Sequence, residues 1–445
     1  MADGTLRKRI WGWFFFDWAS QPYNTLLLTF IFGPYVSELM GDGTRAQAAW
    51  GFGIAAAGAI IALLAPVLGA LADTGGNRVR WIWGFSGLYV VGSSMLWFAA
   101  PDSFNLYGTL FFFALGLIGM EFATIFTNAM LPDLGTRAEI GRISGFGWAF
   151  GYLGGTVTLV MMLTLFAENA TTGKTLLGIA PILGLDPETR EGTRFVGPLT
   201  AIWFAVFMIP FFLGVKDTKS GPAPKGAVRK ALRDLRRTLK TLPQNRSRFA
   251  YLGSSMFYRD GLNGMYTFGG IYASGVLGWS VIDIGVFGIL AIVAGTIFAV
   301  VGGFADSAFG PKPVIRGCVI LLIGVAIGIV TLSPTSVLGI PVPEGSALPD
   351  IAFYAFGVII GAAGGALQSA SRTMMVRQAD PERMTEAFGL YALAGKATSF
   401  LAPLLIGVAT TLTGSQALGV SPLIGLFAVG LVLLAWVNPE GENPS

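Results

Sequence analysis

The sequence predicts an all-α membrane protein whose twelve transmembrane helices form two pseudo-symmetric six-helix bundles. The 445 residues are 53% hydrophobic and only 12% charged, whereas soluble domains are about 25% charged. Apolar stretches of about 18 residues or more recur along the whole chain, and each is long enough to cross the hydrocarbon core of a bilayer as a helix. Polar landmarks of the first half also recur in the second half. A soluble multidomain protein is therefore excluded.

Hydropathy and turn signals place six spans on each side of a polar linker. The first six lie near residues 11–39, 50–72, 81–100, 106–131, 143–166 and 196–214. The last six lie near residues 249–277, 283–305, 313–333, 350–377, 385–412 and 417–436. The chain is thus predicted to contain an N-terminal bundle (residues 1–214), a basic cytoplasmic linker (residues 215–248) and a C-terminal bundle (residues 249–445).

The linker contains the segment KGAVRKALRDLRRTLK, which has the pattern of a short basic amphipathic helix. It is either a solvated connection or a helix that docks on anionic lipid. In the second case, each basic residue contributes about 1 kcal/mol to membrane binding. Most lysines and arginines of the predicted loops share the side of the linker, and short cytoplasmic loops are rich in both. We therefore expect both termini in the cytoplasm and a multi-pass protein of the bacterial cytoplasmic membrane.

Missing residue types limit the chemistry of the protein. The sequence has no histidine, so neither a His-based triad nor a His-containing zinc site can form. The single cysteine, Cys318, cannot close an intramolecular disulfide, and we find no nucleotide-binding P-loop. We expect no enzyme, no cofactor and no metal. No cleavable signal peptide is expected either, because the basic cluster Arg7-Lys8-Arg9 leads into a stretch that is too long and too aromatic.

Polar landmarks of the first half recur in the second half at a nearly constant separation. The pairs are Asp17 with Asp260, Tyr23 with Tyr266, Asp73 with Asp306, and Phe146 with Phe388. The separation spans six helices, an even number, so both copies insert into the membrane the same way up. This parallel repeat is typical of transporters built from two bundles.

The loops after the second and eighth spans resemble the signature of the major facilitator superfamily. The first copy, GALADTGGNR, contributes Gly69, Asp73 and Arg78, and the second copy, GGFADSAFGPK, contributes Gly302, Asp306 and Lys312. The resemblance implies a cytoplasmic gate at which a carboxylate caps a neighbouring helix N-terminus. The position after each aspartate is often basic in the superfamily, but here it is Thr74 or Ser307.

A narrower resemblance covers both halves. The segments FFFDWASQPY, LPDLGTRAEIGRISGFGWAFGYLGG, GIYASGVLG and FGLYALAGKATSFLAPLL are similar to the branch that contains the fungal vacuolar amino-acid effluxers of autophagy and many bacterial relatives. The resemblance implies efflux of small molecules, which are amino acids in the fungal case.

Six ionisable residues fall inside the predicted spans: Asp17, Glu121, Asp260, Arg259, Arg372 and Lys396. Exposing such groups to lipid is unfavourable, so we expect them to face a protein cavity. Glu121 is the favoured proton carrier, and Arg372 and Lys396 are candidates for holding a substrate carboxylate or phosphate. The alternatives are a closed set of buried ion pairs and, for Asp17 and Asp260, gate contacts.

Uncharged polar residues on the same spans are secondary candidates for the substrate or proton pathway. They are Tyr23, Asn24, Asn128, Asn263, Tyr266 and Gln368. Hydrogen bonds between helices explain such residues without any substrate. Glycine pairs at four-residue spacing, Gly151 with Gly155 and Gly361 with Gly365, are predicted to let helices approach closely.

The sequence therefore predicts a secondary active transporter that moves a small polar or amphiphilic solute by alternating access. An amino acid or peptide-like substrate, efflux and proton coupling are favoured; a lipid or drug exporter and a non-transporting membrane sensor are the alternatives. The expected partners are a small-molecule substrate, protons and the lipid bilayer, without nucleic acid. We expect the protein to be a monomer.

Overall fold

The structure is a computed structural model, and it describes residues 2–41, 43–75, 77–217, 226–279 and 281–442. Helices account for most of these residues. The sheet found among them is a two-stranded antiparallel hairpin, Ser336–Val337 with Ile340–Pro341. The predicted all-α fold class is thus confirmed, and residues 218–225 of the predicted linker lie outside the described residues.

The helices of the first half follow the predicted spans, and three spans are interrupted. The first span consists of the α-helix Ala2–Pro22, the π-helix Tyr23–Phe30 and the α-helix Phe32–Met40. The following helices are Gly43–Gly75, Arg78–Met95, Leu106–Asn128 and Ile140–Met161, which continues as the π-helix Met162–Phe166. The sixth span consists of Val196–Phe207 and Ile209–Gly214, after a short helix Glu191–Arg194.

The second half begins after the linker helix Ala227–Thr241. Its uninterrupted helices are Arg246–Val276, Val281–Phe309, Pro311–Val330 and Leu348–Gln378. The eleventh span is broken into Met384–Ala397 and Leu401–Thr413, and the twelfth consists of Gln416–Gly419 and Pro422–Ala435.

Within the described residues, nine helical segments are long and apolar enough to cross a membrane. They match the predicted spans other than the first, third and seventh, which are helical as well. Asp17 lies in the first of these and Asp260 in the seventh, and Arg78 and Arg80 begin the third. Charged residues therefore make these three helices more polar than the other nine.

The chain divides into two compact units. One contains residues 1–130 and 150–227, and the other contains residues 131–149 and 228–445. Residues 131–149 group with the later residues because Gly141 lies against Asp306, and Gly145 against Ala299 and Gly303. The bundle boundaries at residues 214 and 249 stay a prediction.

Glycines let helix backbones touch within each unit. A methyl group on Gly151 would come within 3.3 Å of Asp17 Cβ, and one on Gly154 within 2.7 Å of the Trp18 carbonyl oxygen. In the other unit Gly361 lies directly against Ala291. These small residues allow the close packing that helix pairs in membranes use.

Candidate functional site

The clearest cationic site surrounds Arg259, on the helix Arg246–Val276. Its guanidinium carbon lies 4.2 Å from the centroid of the Tyr391 ring, and Nη1 donates a hydrogen bond to the Tyr391 carbonyl oxygen at 3.2 Å. A methyl group on Gly395 would come within 2.6 Å of Nη1. Tyr391 and Gly395 are four residues apart, hence on one helix face, so Arg259 lies in a notch between an aromatic ring and a bare backbone.

Tyrosines hold the surroundings of this notch in place. The Tyr251 ring lies parallel to Tyr391, with the centroids 6.2 Å apart, and its hydroxyl donates to the Ser371 carbonyl oxygen. The hydroxyls of Tyr258 and Ser371 are 2.8 Å apart. The next residue, Arg372, is buried, and its guanidinium carbon lies 5.1 Å from the centroid of the Trp148 ring. Each arginine thus lies over an aromatic ring.

The aromatic partners were missed from sequence. Tyr391 and Gly395 both precede Lys396 in FGLYALAGKA, and their four-residue spacing was a usable signal. Lys396 itself is half-buried near the end of the helix Met384–Ala397. Trp148 carried no such signal, because its contact with Arg372 joins residues that are far apart in sequence.

Asp260 caps a helix inside a membrane span. The residue is 3% exposed, and Oδ2 accepts a hydrogen bond from the Ala402 amide at 3.1 Å. Ala402 lies in the first turn of the helix Leu401–Thr413, where backbone amides lack partners within the helix. Asp260 therefore stabilises the restart of the eleventh span after the turn at residues 398–400.

The other polar candidates of this unit differ in burial. Asn263 is exposed and Gln368 is half-buried. Tyr266 is 46% exposed, and its hydroxyl lies against Gly364, where a side chain would collide with it. Tyr266 therefore depends on a glycine of the helix Leu348–Gln378 for its position.

In the first unit, the predicted residues divide into half-buried and fully buried groups. Asp17, Asn24, Glu121 and Asn128 are half-buried. Tyr23 is fully buried, and its hydroxyl donates to the Phe113 carbonyl oxygen. Tyr23 thus makes a hydrogen bond between helices, which is the explanation of this residue that requires no substrate.

The first copy of the predicted gate forms an ion pair. Arg78 Nη2 lies 3.0 Å from Asp73 Oδ1, and Arg78 Nη1 donates to the Ala129 carbonyl oxygen at 3.3 Å. The Asp73 side chain is 5% exposed, and Gly69 is buried one turn earlier. Through these two contacts, Arg78 at the start of its helix is joined to the ends of the helices Gly43–Gly75 and Leu106–Asn128.

The second copy is arranged differently. Asp306 is fully buried against Gly141, and the Arg142 amide donates to Ser307 Oγ at 2.9 Å. Both residues therefore lie at the start of the helix Ile140–Met161, where a carboxylate and a hydroxyl are favourable. Ser307, the departure from the superfamily signature, acts as a capping group.

Two further residues of the second copy serve packing and capping. Lys312 Nζ donates to the carbonyl oxygens of Ala435 and Val437, at 3.2 and 2.7 Å, at the end of the twelfth span. A cation there is favourable because helix C-termini carry partial negative charge. Gly302 lies directly against Ala366.

A polar cluster that sequence reasoning missed lies in the connection between the fifth and sixth spans. The Glu168 side chain is fully buried, accepts hydrogen bonds from the Thr193 amide and hydroxyl, and lies 3.2 Å from Arg190 Nη1. Arg190 Nη2 also lies 2.8 Å from Glu38 Oε2. Burial raises the pKa of the Glu168 carboxyl above its ordinary value of 4.5.

Solved structures of major facilitator superfamily transporters share this fold. The transporter FucP in its outward conformation has a TM-score of 0.70 at 13% identity, over 96% of this chain and 98% of that one. The proton:xylose symporter XylE has a TM-score of 0.63 at 14% identity, over 97% of this chain and 94% of that one. At these identities the likeness shows the fold alone. The protein thus has the fold of the multi-pass transporters of the major facilitator superfamily.

Within that superfamily, the chain belongs to the family described as vacuole effluxer Atg22 like, which it matches over residues 44–443. It is 26% identical over 433 residues to the MFS-type transporter YxiO of Bacillus subtilis, covering 96% of this chain and 94% of that protein. It is 25% identical over 307 residues to autophagy-related protein 22 of Cryptococcus neoformans, covering 67% of this chain and 50% of that protein. The chain spans about half the length of the fungal relatives that it matches. The predicted membership of this branch is confirmed.

Proposed function

We propose that the protein exports a small carboxylate-bearing solute, an amino acid or a short peptide, by alternating access and in exchange for protons. The observation that carries the proposal is the fixed position of Arg259 over Tyr391 and Gly395. A planar guanidinium binds a carboxylate through two parallel hydrogen bonds. The description of the family as vacuole effluxers favours export.

Charge inside a membrane span supports a binding role. An arginine at the centre of a membrane helix costs about 2.5–3.5 kcal/mol on insertion scales, so such residues are typically functional. Gly395 leaves room for the guanidinium of Arg259, and Lys396, a second cation, follows it directly in the sequence. The aromatic ring of Tyr391 fixes the guanidinium and reduces the entropy lost when a ligand binds.

Proton coupling is assigned to Glu121. It is half-buried in the middle of the apolar helix Leu106–Asn128, and a carboxylate is the proton carrier that a chain without histidine can offer. Asp17 is the second half-buried carboxylate of that unit. Asp260 is assigned a structural role instead, because it caps the helix Leu401–Thr413.

The substrate proposal is tested by exchange of radiolabelled amino acids and dipeptides in proteoliposomes. We expect Arg259→Gln to reduce exchange at least about tenfold, since a charge-assisted hydrogen bond contributes roughly 1.5–3 kcal/mol. Arg259→Lys keeps the charge without the planar fork and should retain part of the activity. Arg236→Gln, on the exposed face of the linker helix, is the control and should leave exchange unchanged.

Two outcomes would contradict this proposal. One is unchanged exchange by Arg259→Gln protein that elutes as the wild type does. The other is exchange of amphiphilic dyes or lysolipids with no exchange of amino acids, which would favour a lipid or drug exporter.

The coupling proposal has a separate test. With a pH gradient imposed, wild-type liposomes should accumulate substrate against its concentration gradient. Glu121→Gln cannot release a proton, so it should still exchange substrate but fail to accumulate it. Accumulation by Glu121→Gln with an unchanged pH dependence would remove Glu121 from the mechanism.

A further inference from the structure

A groove of about 570 Å³ lies between the helix Ala2–Pro22 and the end of the sixth span, Ile209–Gly214. The two backbones touch beside it: a methyl group on Gly12 would come within 3.0 Å of the Pro210 carbonyl oxygen, and one on Gly214 within 2.7 Å of the Lys8 carbonyl oxygen. Because neither glycine has a side chain, the backbones themselves form the floor of the groove.

The groove is polar at one end and apolar at the other. Arg7, Trp11 and Phe15 line it at four-residue spacing and therefore form one stripe along the helix. Arg7 and its neighbour Lys8 are exposed, whereas Trp11 and Phe15 continue the stripe into apolar surroundings. The stripe is about 12 Å long at 1.5 Å per residue, comparable to a phospholipid headgroup with the first part of an acyl chain.

The apolar end of the groove is preformed and open to the outside of the unit. The Trp11 ring contacts Phe14 and Phe150 edge to face, at centroid distances of 5.7 and 6.2 Å. On the opposite wall, Leu213 is 76% exposed. Large exposed apolar residues on a membrane helix typically face acyl chains.

We propose that the groove binds an anionic phospholipid, with its phosphate on Arg7 and Lys8 and an acyl chain along Trp11, Phe15 and Leu213. Basic pockets between membrane helices bind such headgroups, and tryptophan is favoured at the same depth of the bilayer. The two cations select negative charge, and the apolar walls select a lipid over a free phosphate. The site is separate from the proposed substrate notch, because all its residues belong to the first unit.

The test is thermal unfolding of the detergent-purified full-length protein with a short-chain phosphatidylglycerol, since a ligand of the native state raises its apparent stability. We expect a concentration-dependent rise in Tm with phosphatidylglycerol, a much smaller rise with phosphatidylcholine of equal chain length, and none with inorganic phosphate. Arg7→Gln with Lys8→Gln should raise the apparent Kd about thirtyfold, which corresponds to about 2 kcal/mol.

A matched control removes the same charge elsewhere. Lys174→Gln with Arg316→Gln, two exposed residues outside the groove and the linker helix, should leave the apparent Kd for phosphatidylglycerol unchanged. Trp11→Ala should weaken binding of the lipid although both cations remain. The proposal is overturned if both lipids raise Tm equally, if inorganic phosphate reproduces the rise, or if the Arg7 and Lys8 variant keeps the wild-type Kd.

Discussion

Residues at equivalent positions of the two halves differ in burial. Asp260 is 3% exposed and caps a broken helix, whereas Asp17 is half-buried next to Gly151. Tyr23 is fully buried, and its counterpart Tyr266 is 46% exposed. The repeat therefore preserves where polar residues stand in the sequence without preserving how deeply they are buried.

The role of Asp260 can be tested by substitution. We expect Asp260→Ala to lower the free energy of unfolding by about 1 kcal/mol, the typical cost of losing a helix cap, because the Ala402 amide loses its acceptor. Asp260→Asn keeps an acceptor oxygen and should lose less. Thermal unfolding of both variants in detergent measures this difference, and equal stabilities of the two would argue against a capping role.

Gly141 gives a second prediction at the scale of one residue. A methyl group there would come within 2.7 Å of Asp306 Cγ, so Gly141→Ala must displace a buried carboxyl group. Gly317 is the control, because a methyl group there meets nothing within 4 Å. In a helix, alanine is favoured over glycine by about 1 kcal/mol. We expect Gly317→Ala to raise Tm and Gly141→Ala to lower it; a rise in both would show that Asp306 moves aside freely.

Among the elements, the connection between the fifth and sixth spans carries a pH-dependent contact. Buried Glu168, with Arg190 and Thr193 against it and Glu38 on the other side of Arg190, has a raised pKa. Just above pH 4.5, Glu168 therefore keeps its proton in the native protein but loses it in the unfolded chain. The contribution of Glu168 to the free energy of unfolding is present at lower pH and decreases as pH rises through the native pKa.

Glu168→Gln should remove this pH dependence. The measurement is the Tm of wild type and variant at intervals from pH 4.5 to about 7, with the exposed Glu344→Gln as the control. We expect the difference in Tm between wild type and Glu168→Gln to change with pH, whereas the control difference stays constant. A constant difference for both variants would mean that burial of Glu168 does not favour its protonated form.

Sequence predicted the helices well and their interruptions poorly. The positions of the spans follow from hydropathy, which is a local property of the chain. The break at residues 398–400 depends on a contact between Asp260 and Ala402, and the notch at Gly395 depends on Arg259. Contacts between residues so far apart in sequence have no local pattern. The candidate site was therefore predicted by residue type, whereas its aromatic partners were not.

At the scale of the whole molecule, we propose that both termini are cytoplasmic. The chain suits cysteine labelling, because its single cysteine, Cys318, is buried. On a Cys318→Ser background, Leu183→Cys reports on the connection between the fifth and sixth spans, where Leu183 is 72% exposed. Arg236→Cys, on the exposed face of the linker helix, reports on the opposite side.

In intact bacteria, a membrane-impermeant maleimide should label Leu183→Cys and should label Arg236→Cys only after permeabilisation. The physical reason is the basic linker, because lysines and arginines near membrane helices are retained on the cytoplasmic side. Labelling of the Cys318→Ser parent gives the background. The reverse pattern would place the linker outside the cell, and the groove at Arg7 and Lys8 would then face the outer leaflet.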